Sequence, residues 1–309
     1  MSAHSHSEAG HSHASASRGR LTGALIVTAL VLVAEVVGAI ISGSLALLAD
    51  AGHMLVDSTG LVIALIAAHL MARPRSRQRT WGFVRAEVVA AALQSLLLLV
   101  ICVTILWEAI GRLTEPVEVQ AGPMLTIGLV GLVANLISLW ILAGGRDSSL
   151  NMKAAFLEVL TDALGSVAVI VAAIVLMTTG WPYADSVASL LIAAMIIPRS
   201  WHLLRQSVSI LMENAPAGLD LSEVEQHLLR QDAVESVHDL HATTVGTGLV
   251  TLTAHVVLRP EMANLPGAEQ ARILRGIQTC IKDHFAGKIN HLTVQIDTPG
   301  LNCSEVLAH

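Results

Sequence analysis

The chain has 309 residues, a formal net charge of −6, and 53% hydrophobic against only 14% charged residues. Ordinary soluble domains carry about 25% charged residues. The composition therefore excludes an ordinary soluble protein and indicates that much of the chain lies in lipid. The three cysteines are far apart and form no CxxC pair, so neither a disulfide framework nor a zinc knuckle is predicted.

The N-terminal 20 residues are polar and contain His4, His6, His11 and His13 in HSHSEAGHSH. A segment of this kind either captures metal weakly or is simply a solvated tail, and the sequence leaves both alternatives open. The apolar run that follows has no small-residue cleavage site, so we expect a retained membrane span rather than a removable signal peptide.

Six apolar stretches follow, each with roughly the 20 residues that a bilayer core requires. After the sixth stretch the apolar runs shorten and charged residues return. We therefore expect a cytoplasmic tail at 1–20, a six-helix transmembrane transport domain at 21–206 and a cytoplasmic metal-binding and dimerisation domain at 207–309. The six predicted spans are 21–42, 44–72, 86–113, 121–143, 152–178 and 183–204.

Basic residues predict the orientation, because Lys and Arg are retained on the cytoplasmic side of a membrane. They lie before the first span, between spans two and three, between spans four and five, and at the end of span six; the remaining loops contain neither residue type. Both termini are therefore expected in the cytoplasm of a multi-pass protein of the cell inner membrane.

The C-terminal part alternates between helical and strand patterns. Helices are predicted at 221–231 and 266–285, and strands at 234–244, 249–258 and 291–297. Period-two alternation in TLTAHVVL and LTVQI supports the strands, and the GTG sequence between the first two suits a hairpin turn. The order αββαβ predicts a small ferredoxin-like α+β domain.

Ionisable side chains inside membrane spans are costly and mark functional sites by default. The second predicted span contains His53 and Asp57, and the fifth contains Glu158 and Asp162. Residues four apart lie on one helix face, so two facing helices can direct one imidazole and three carboxylates to a common point. This is a four-ligand set for a divalent cation.

Two other interpretations compete with a transport site. In the first, the same residues have no function beyond bonding to one another between helices. The small Gly or Ser that follows each pair allows close helix packing and favours a functional site instead. A metallohydrolase using metal-bound water is also conceivable, but no HExxH motif is present. Asp50, one turn before His53, is interpreted as a supporting residue, and Glu35 and Asn135 either line the cavity or bond between helices.

Five segments together resemble the cation diffusion facilitator family of metal/proton antiporters, in its cobalt-zinc-cadmium resistance and zinc carrier branch. They are SLALLADAGHMLVD, WGFVRAE, AFLEVLTDALGSV, VHDLHATT and LTAHV. The resemblance covers nearly the whole chain. It implies that His53, Asp57, Glu158 and Asp162 bind the transported metal, with Glu158 at a position that is often His or Asp in the family.

In the soluble domain the resemblance implies regulatory metal ligands at His238, His241, His255 and Asp297, with Cys303 as an addition. Exposed histidines are common, so an incidental origin remains the alternative. The loop between spans two and three lacks the histidines that some members place there, and we predict no metal site in it. The family's domain dimerises, which implies a homodimer.

These observations predict efflux of a divalent cation, most simply Zn²⁺, in exchange for protons. The alternative cargoes are Co²⁺, Cd²⁺, Mn²⁺ or Fe²⁺ by the same mechanism. We expect no enzymatic activity and no cofactor, with Zn²⁺ acting as cargo and as a regulatory ligand. The expected partners are a second copy of the chain, metal ions, protons and the lipid bilayer, and no nucleic acid.

Overall fold

The computed structural model describes residues 26–27, 29–71, 73–143, 150–246, 248–263 and 265–297. The predicted histidine tail and Cys303 lie outside the described residues. The chain forms two compact units. The first comprises residues up to 63 together with 93–204, and the second comprises 64–92 together with the chain from 205 onward.

In the described residues, six helices follow one another through the predicted transmembrane part of the chain. Among the described residues, four of them have the length and hydropathy to cross a membrane, namely α3, α4, α5 from Phe156 onward, and α6. The described part of α1 is shorter, and α2 contains the polar residues of the predicted site. The bounds are α1 Ala29–Ser42, α2 Leu45–Met71, α3 Ala86–Thr114, α4 Ala121–Ala143, α5 Leu150–Thr179 and α6 Ala184–Leu211.

Glycines on α4 and α5 make room for the carboxyl groups of α1 and α2. A methyl group at Gly131 would lie 2.9 Å from Oε1 of Glu35, and one at Gly165 would lie 2.8 Å from Oδ1 of Asp50. Both contacts are shorter than a real side chain tolerates. Small residues thus bring the helices together, as in other membrane bundles, and they place both buried carboxyl groups between helices.

Asp185, in the first turn of α6, caps the N-terminus of α2. Its side chain is 1% exposed and accepts hydrogen bonds from the hydroxyl of Ser44 at 2.5 Å and from the backbone N–H groups of Leu45 and Ala46 at 2.8 and 3.2 Å. The first N–H groups of a helix have no partner within the helix and attract negative charge. Asp185 therefore fixes the start of the helix that contains His53 and Asp57.

We expect Asp185→Ala to destabilise the protein by about 2 to 4 kcal/mol, because charge-assisted hydrogen bonds to buried donors are lost. Asp185→Asn keeps an acceptor and should lose less. Thermal unfolding in detergent measures both effects. Glu108→Ala is the matched control, because exposed Glu108 pairs with Arg112, whose guanidinium also lies 3.8 Å from Asp185. Equal melting temperatures for Asp185→Ala and the control would contradict this role.

The second unit contains a three-stranded sheet covered by helices. Strands β1 and β2 are antiparallel, whereas β2 and β3 are parallel and are connected through α9. Leu252 and Val256 of β2 are fully buried with Ile277 and Ile281 of α9. The predicted αββαβ order is confirmed, with one added turn, α8. The elements are α7 Leu221–Leu229, β1 Val234–Gly246, β2 Leu249–Leu258, α8 Pro260–Ala263, α9 Gly267–His284 and β3 His291–Asp297.

The loop between α2 and α3 belongs to this second unit. The ring of Trp81 meets the ring of His291 at the start of β3 edge to face, with centroids 5.3 Å apart. Arg85 donates a hydrogen bond of 2.6 Å to the carboxylate of Glu213. The WGFVRAE segment is thus positioned by contacts with residues of the C-terminal part.

Candidate metal sites

His53 and Asp57 on α2 face Asp162 on α5 within the first unit. Nε2 of His53 lies 3.4 Å from Oδ2 of Asp57 and 3.6 Å from Oδ1 of Asp162. Tetrahedral zinc sites have metal–ligand bonds of about 2.0 to 2.2 Å, so their ligand atoms lie about 3.3 to 3.6 Å apart. Nε2 of His53 therefore has zinc-ligand spacing to one oxygen of each aspartate, but the ligand atoms of the three described residues do not all lie within 4.8 Å of one another.

Several polar atoms at this point are buried and unsatisfied. Both ring nitrogens of His53 and Oδ1 of Asp162 have no hydrogen-bond partner among the described residues. Burying a polar group without a partner costs free energy, and native proteins rarely leave such groups together without a reason. A bound cation would satisfy Nε2 of His53 and the Asp162 carboxylate at once.

Glu158 completes the predicted set but has a different environment. Its carboxyl group lies near that of Asp57, and its side chain is 34% exposed. Oε2 of Glu158 also lies 3.8 Å from the guanidinium of Arg199 on α6. Sequence analysis used Arg199 only as an indicator of orientation and missed this contact. The guanidinium of Arg199 would compete with a metal ion for the Glu158 carboxylate.

Asp50 lies close to one helical turn before His53 on α2 and is 2% exposed. Together with His53, Thr161 and Gly165 it lines a small cavity between α2, α5 and α6. Its neighbour Glu35 is 1% exposed. Asn135, for which sequence analysis left two alternatives, donates from Nδ2 to Oγ of Ser166 at 3.3 Å and so bonds α4 to α5.

The second predicted site depends on a bulge in β1. His238 pairs with His255 of β2, whereas His241 pairs with Thr253, so β1 has one extra residue between the two histidines. Asp239 takes up the extra length with a positive φ of 51°, which Asp tolerates better than most residues. The bulge directs His238 and His241 to one face of the sheet, although a spacing of three in a regular strand would separate them.

His238, His255 and Asp297 converge on the sheet. Oδ2 of Asp297 lies 3.1 Å from Nε2 of His238 and 3.1 Å from Nδ1 of His255, and the three residues form a group with metal-ligand spacing. Hydrogen bonds from Gln295 and His255 to the carboxylate of Asp297 hold the pKa of that carboxyl below its usual value. The carboxylate therefore remains ionised and available to a metal throughout the physiological pH range.

His241 is not part of that group in the structure. Its Nε2 pairs with Oδ1 of Asp239 at 2.8 Å, and this hydrogen bond lowers the pKa of the Asp239 carboxyl. The other carboxylate oxygen of Asp239 lies 3.6 Å from Nε2 of His255. Asp239 is thus a neighbour of the cluster that sequence analysis did not select, because a strand pattern assigns it to the opposite face.

This arrangement predicts unequal effects of the two β1 histidines. In the full-length protein, His238→Ala should lower Zn²⁺ affinity at this site more than His241→Ala does, because only His238 contacts Asp297. Equilibrium dialysis of both variants, with the transport-site aspartates replaced in each, measures the difference. Equal losses would show that the metal binds with His241 in the first coordination sphere and would contradict the selection of ligands given by the structure.

Apolar helices long enough to cross a membrane, with buried His and Asp side chains between two helices of the same unit, are typical of a multi-pass membrane transporter. The comparison with known families is consistent with that class. The family profile described as cation efflux transmembrane domain matches residues 21–212, and the profile described as cation efflux protein, cytoplasmic domain, matches residues 216–299. The chain belongs to the cation efflux family, which confirms the resemblance drawn from its motifs and its assignment as a transporter rather than an enzyme.

Relatives match over nearly the full chain. The cation efflux system protein CzcD of Alcaligenes sp. (strain CT14) is 40% identical over 97% of this chain and 92% of the relative. The zinc transporter ZitB of Escherichia coli (strain K12) is 40% identical over 96% and 92%. A cadmium, cobalt and zinc/H(+)-K(+) antiporter of Bacillus velezensis is 35% identical over 94% and 92%.

One solved structure is similar to part of the chain. It is the metal-bound C-terminal domain of the CzcD transporter from Cupriavidus metallidurans, with 33% sequence identity. The match covers 26% of this chain and 99% of the solved domain, with a TM-score of 0.22.

Proposed function

We propose that this protein exports divalent metal cations, with Zn²⁺ as its main cargo, from the cytoplasm in exchange for protons. The cargo binds to His53, Asp57, Glu158 and Asp162. The observation that supports this most strongly is the convergence of unsatisfied buried atoms of His53 and Asp162, at the spacing of zinc ligands. The names of the relatives, which include zinc transporters and a proton-coupled antiporter, support the same cargo and exchange.

Proton exchange follows from the composition of the site. Carboxylate and imidazole ligands bind a metal only when deprotonated, so metal binding displaces protons and protonation displaces metal. Three carboxyl groups and an imidazole within one small volume titrate as a coupled unit. Opening of the site to the cytoplasm would therefore load metal, and opening to a more acidic space on the other side would release it against protons.

The choice of Zn²⁺ rests on the mixture of donors. One nitrogen and three oxygen ligands form a harder site than two imidazoles with two carboxylates, which improves tolerance for Mn²⁺ and Fe²⁺. Affinity at such N/O sites nevertheless rises from Mn²⁺ through Fe²⁺ to Co²⁺ and is higher for Zn²⁺ than for Mn²⁺. We infer Zn²⁺ as the preferred cargo, followed by Co²⁺ and Cd²⁺.

The protein acts as a homodimer in the inner membrane with both termini in the cytoplasm. The basic residues of the α2–α3 loop, from which the sequence predicts a cytoplasmic location for that loop, support this topology. The α+β domain then lies in the cytoplasm, where its His238, His255 and Asp297 cluster can bind metal as a regulatory ligand. The match to the cytoplasmic domain of cation efflux proteins supports its assignment to dimerisation.

Uptake by everted membrane vesicles tests the proposal. With an imposed proton gradient, acid inside, we expect accumulation of Zn²⁺ and weaker accumulation of Co²⁺ and Cd²⁺, and collapse of the gradient should stop it. Competition by Mn²⁺ and Fe²⁺ should be weak. Zinc uptake that is unaffected by collapse of the proton gradient would contradict antiport, and preferential uptake of Mn²⁺ would contradict the proposed cargo.

A further inference from the structure

A second group of metal-ligand side chains lies on the helices of the α+β unit. His227 is near the end of α7, and Cys280 and His284 lie in the last two turns of α9. Their ligand atoms all lie within 4.8 Å of one another. None of the three belongs to the cluster of His238, His255 and Asp297, and none was selected by the sequence analysis.

The fold holds these side chains together. Cys280 and His284 are four residues apart and therefore lie on one face of α9. The ring of His227 packs against the ring of His284, with centroids 3.8 Å apart, and against the ring of Phe285 at 5.6 Å. Beneath them, buried side chains of α7 and α9 belong to one core, which fixes the two helices relative to each other.

The distances are close to those of a zinc site. With bonds of about 2.0 Å to nitrogen and 2.3 Å to sulfur, two nitrogen ligands of a tetrahedral site lie about 3.3 Å apart, and a nitrogen and a sulfur lie about 3.5 Å apart. The ligand atoms, which lie within 4.8 Å of one another, have to approach by about 1.5 Å at most to reach that spacing, which side-chain rotations allow. Cys280 is half-buried and His284 is exposed, so an ion can enter from solvent without unfolding the domain.

The donor set distinguishes this group from the proposed transport site. Two imidazoles and one thiolate are soft, nitrogen- and sulfur-rich ligands that favour Zn²⁺ or Co²⁺ over Mn²⁺ and Mg²⁺. Gln231 already donates a hydrogen bond from Nε2 to Sγ of Cys280 at 3.2 Å. Such a donor stabilises a thiolate and would remain as an outer partner of a metal-bound sulfur.

We propose that His227, Cys280 and His284 bind a Zn²⁺ ion, with water in the fourth position, at a site separate from the transport path. Three protein ligands and one open position are compatible with the tetrahedral coordination of zinc. The simpler interpretation is a stacked pair of histidines beside a thiol that accepts a hydrogen bond from Gln231. The two interpretations differ in one observable, namely a metal–sulfur bond.

Cobalt is the probe for that bond, because Co²⁺ bound to a thiolate has a near-ultraviolet sulfur-to-metal charge-transfer band that nitrogen and oxygen ligands do not produce. Full-length protein in detergent, kept reduced with a phosphine, should develop the band on titration with Co²⁺, and Zn²⁺ should abolish it. Cys280→Ser should eliminate the band. His227→Gln, which leaves the thiol intact, should weaken Co²⁺ affinity at least about tenfold.

The other two cysteines provide matched controls. Cys102→Ser and Cys303→Ser should both retain the band, and so should a variant with His238→Ala and His255→Ala. No band in the wild type would overturn the proposal, and so would a band that survives Cys280→Ser but disappears in Cys303→Ser. If Cys280→Ser unfolds, an unchanged Co²⁺ affinity in His227→Gln overturns the proposal by itself. These outcomes do not test the proposed transport site, because that site contains no sulfur ligand.

Discussion

Replacement of Asp162 by alanine should abolish metal export while leaving a folded protein. The substitution removes a ligand and part of the negative charge that offsets the cation in a buried site. Loss of an outer partner of a metal ligand typically costs 10- to 100-fold in affinity or activity, so loss of a ligand itself should cost more than about 100-fold. Asp57→Ala should have a similar effect, because Oδ2 of Asp57 lies 3.4 Å from the same imidazole nitrogen.

Zinc uptake into everted vesicles, normalised to the amount of protein in the membrane, measures both variants. Glu108→Ala is the control, since Glu108 is an exposed carboxylate on α3 that pairs with Arg112. It should transport normally. Size-exclusion chromatography and thermal unfolding establish that the inactive variants are folded. Near-normal uptake by Asp162→Ala would remove Asp162 from the proposed site.

Glu158→His should sharpen the preference for Zn²⁺ and shift the pH dependence of transport. The substitution changes the donor set from one nitrogen and three oxygens to two nitrogens and two oxygens, which disfavours Mn²⁺ and Fe²⁺. In water a carboxylic acid titrates near pH 4 and an imidazole near pH 6.5. The substitution exchanges one titrating group for another of different type, so the pH dependence of metal binding should change.

Two further variants separate the ligand role of Glu158 from its pairing with Arg199. Glu158→Gln keeps an oxygen donor and loses both the charge and the titratable proton, so it should weaken transport without sharpening the preference for Zn²⁺. Arg199→Gln removes the competing cation, 3.8 Å from Oε2 of Glu158, and should raise apparent affinity for Zn²⁺. Competition assays between pH 6 and 8 measure all three. Unchanged selectivity and pH dependence in Glu158→His would mean that Glu158 is not a ligand.

The fold was predictable from local patterns to a large extent. The apolar runs predicted six helices, and period-two alternation supported two of the three predicted strands, β2 and β3. The pairing of His53 with Asp57, and of Glu158 with Asp162, followed from helical spacing alone. These features depend on residues close together in the chain, where helix and strand geometry determine which side chains share a face.

Other features could not be predicted because they depend on the packing of distant segments. Asp185 reaches the N-terminus of α2 from α6, 140 residues away from Leu45 in the chain, and a single Asp at a helix start does not indicate its target. The bulge at Asp239 changes which residues of β1 face His255. The group on α7 and α9 joins His227 to a cysteine that sequence analysis regarded as isolated, because nothing in the spacing links the two helices.

Simultaneous measurement of zinc and proton movement tests the central claim most directly. In proteoliposomes containing the purified protein, an imposed Zn²⁺ gradient should drive protons in the opposite direction, as reported by a pH-sensitive dye. Asp162→Asn, which keeps the size of the side chain but cannot ionise, should lose both fluxes together. Zinc flux without proton movement in the wild type, or coupled fluxes that persist in Asp162→Asn, would contradict exchange at the His53, Asp57, Glu158 and Asp162 site.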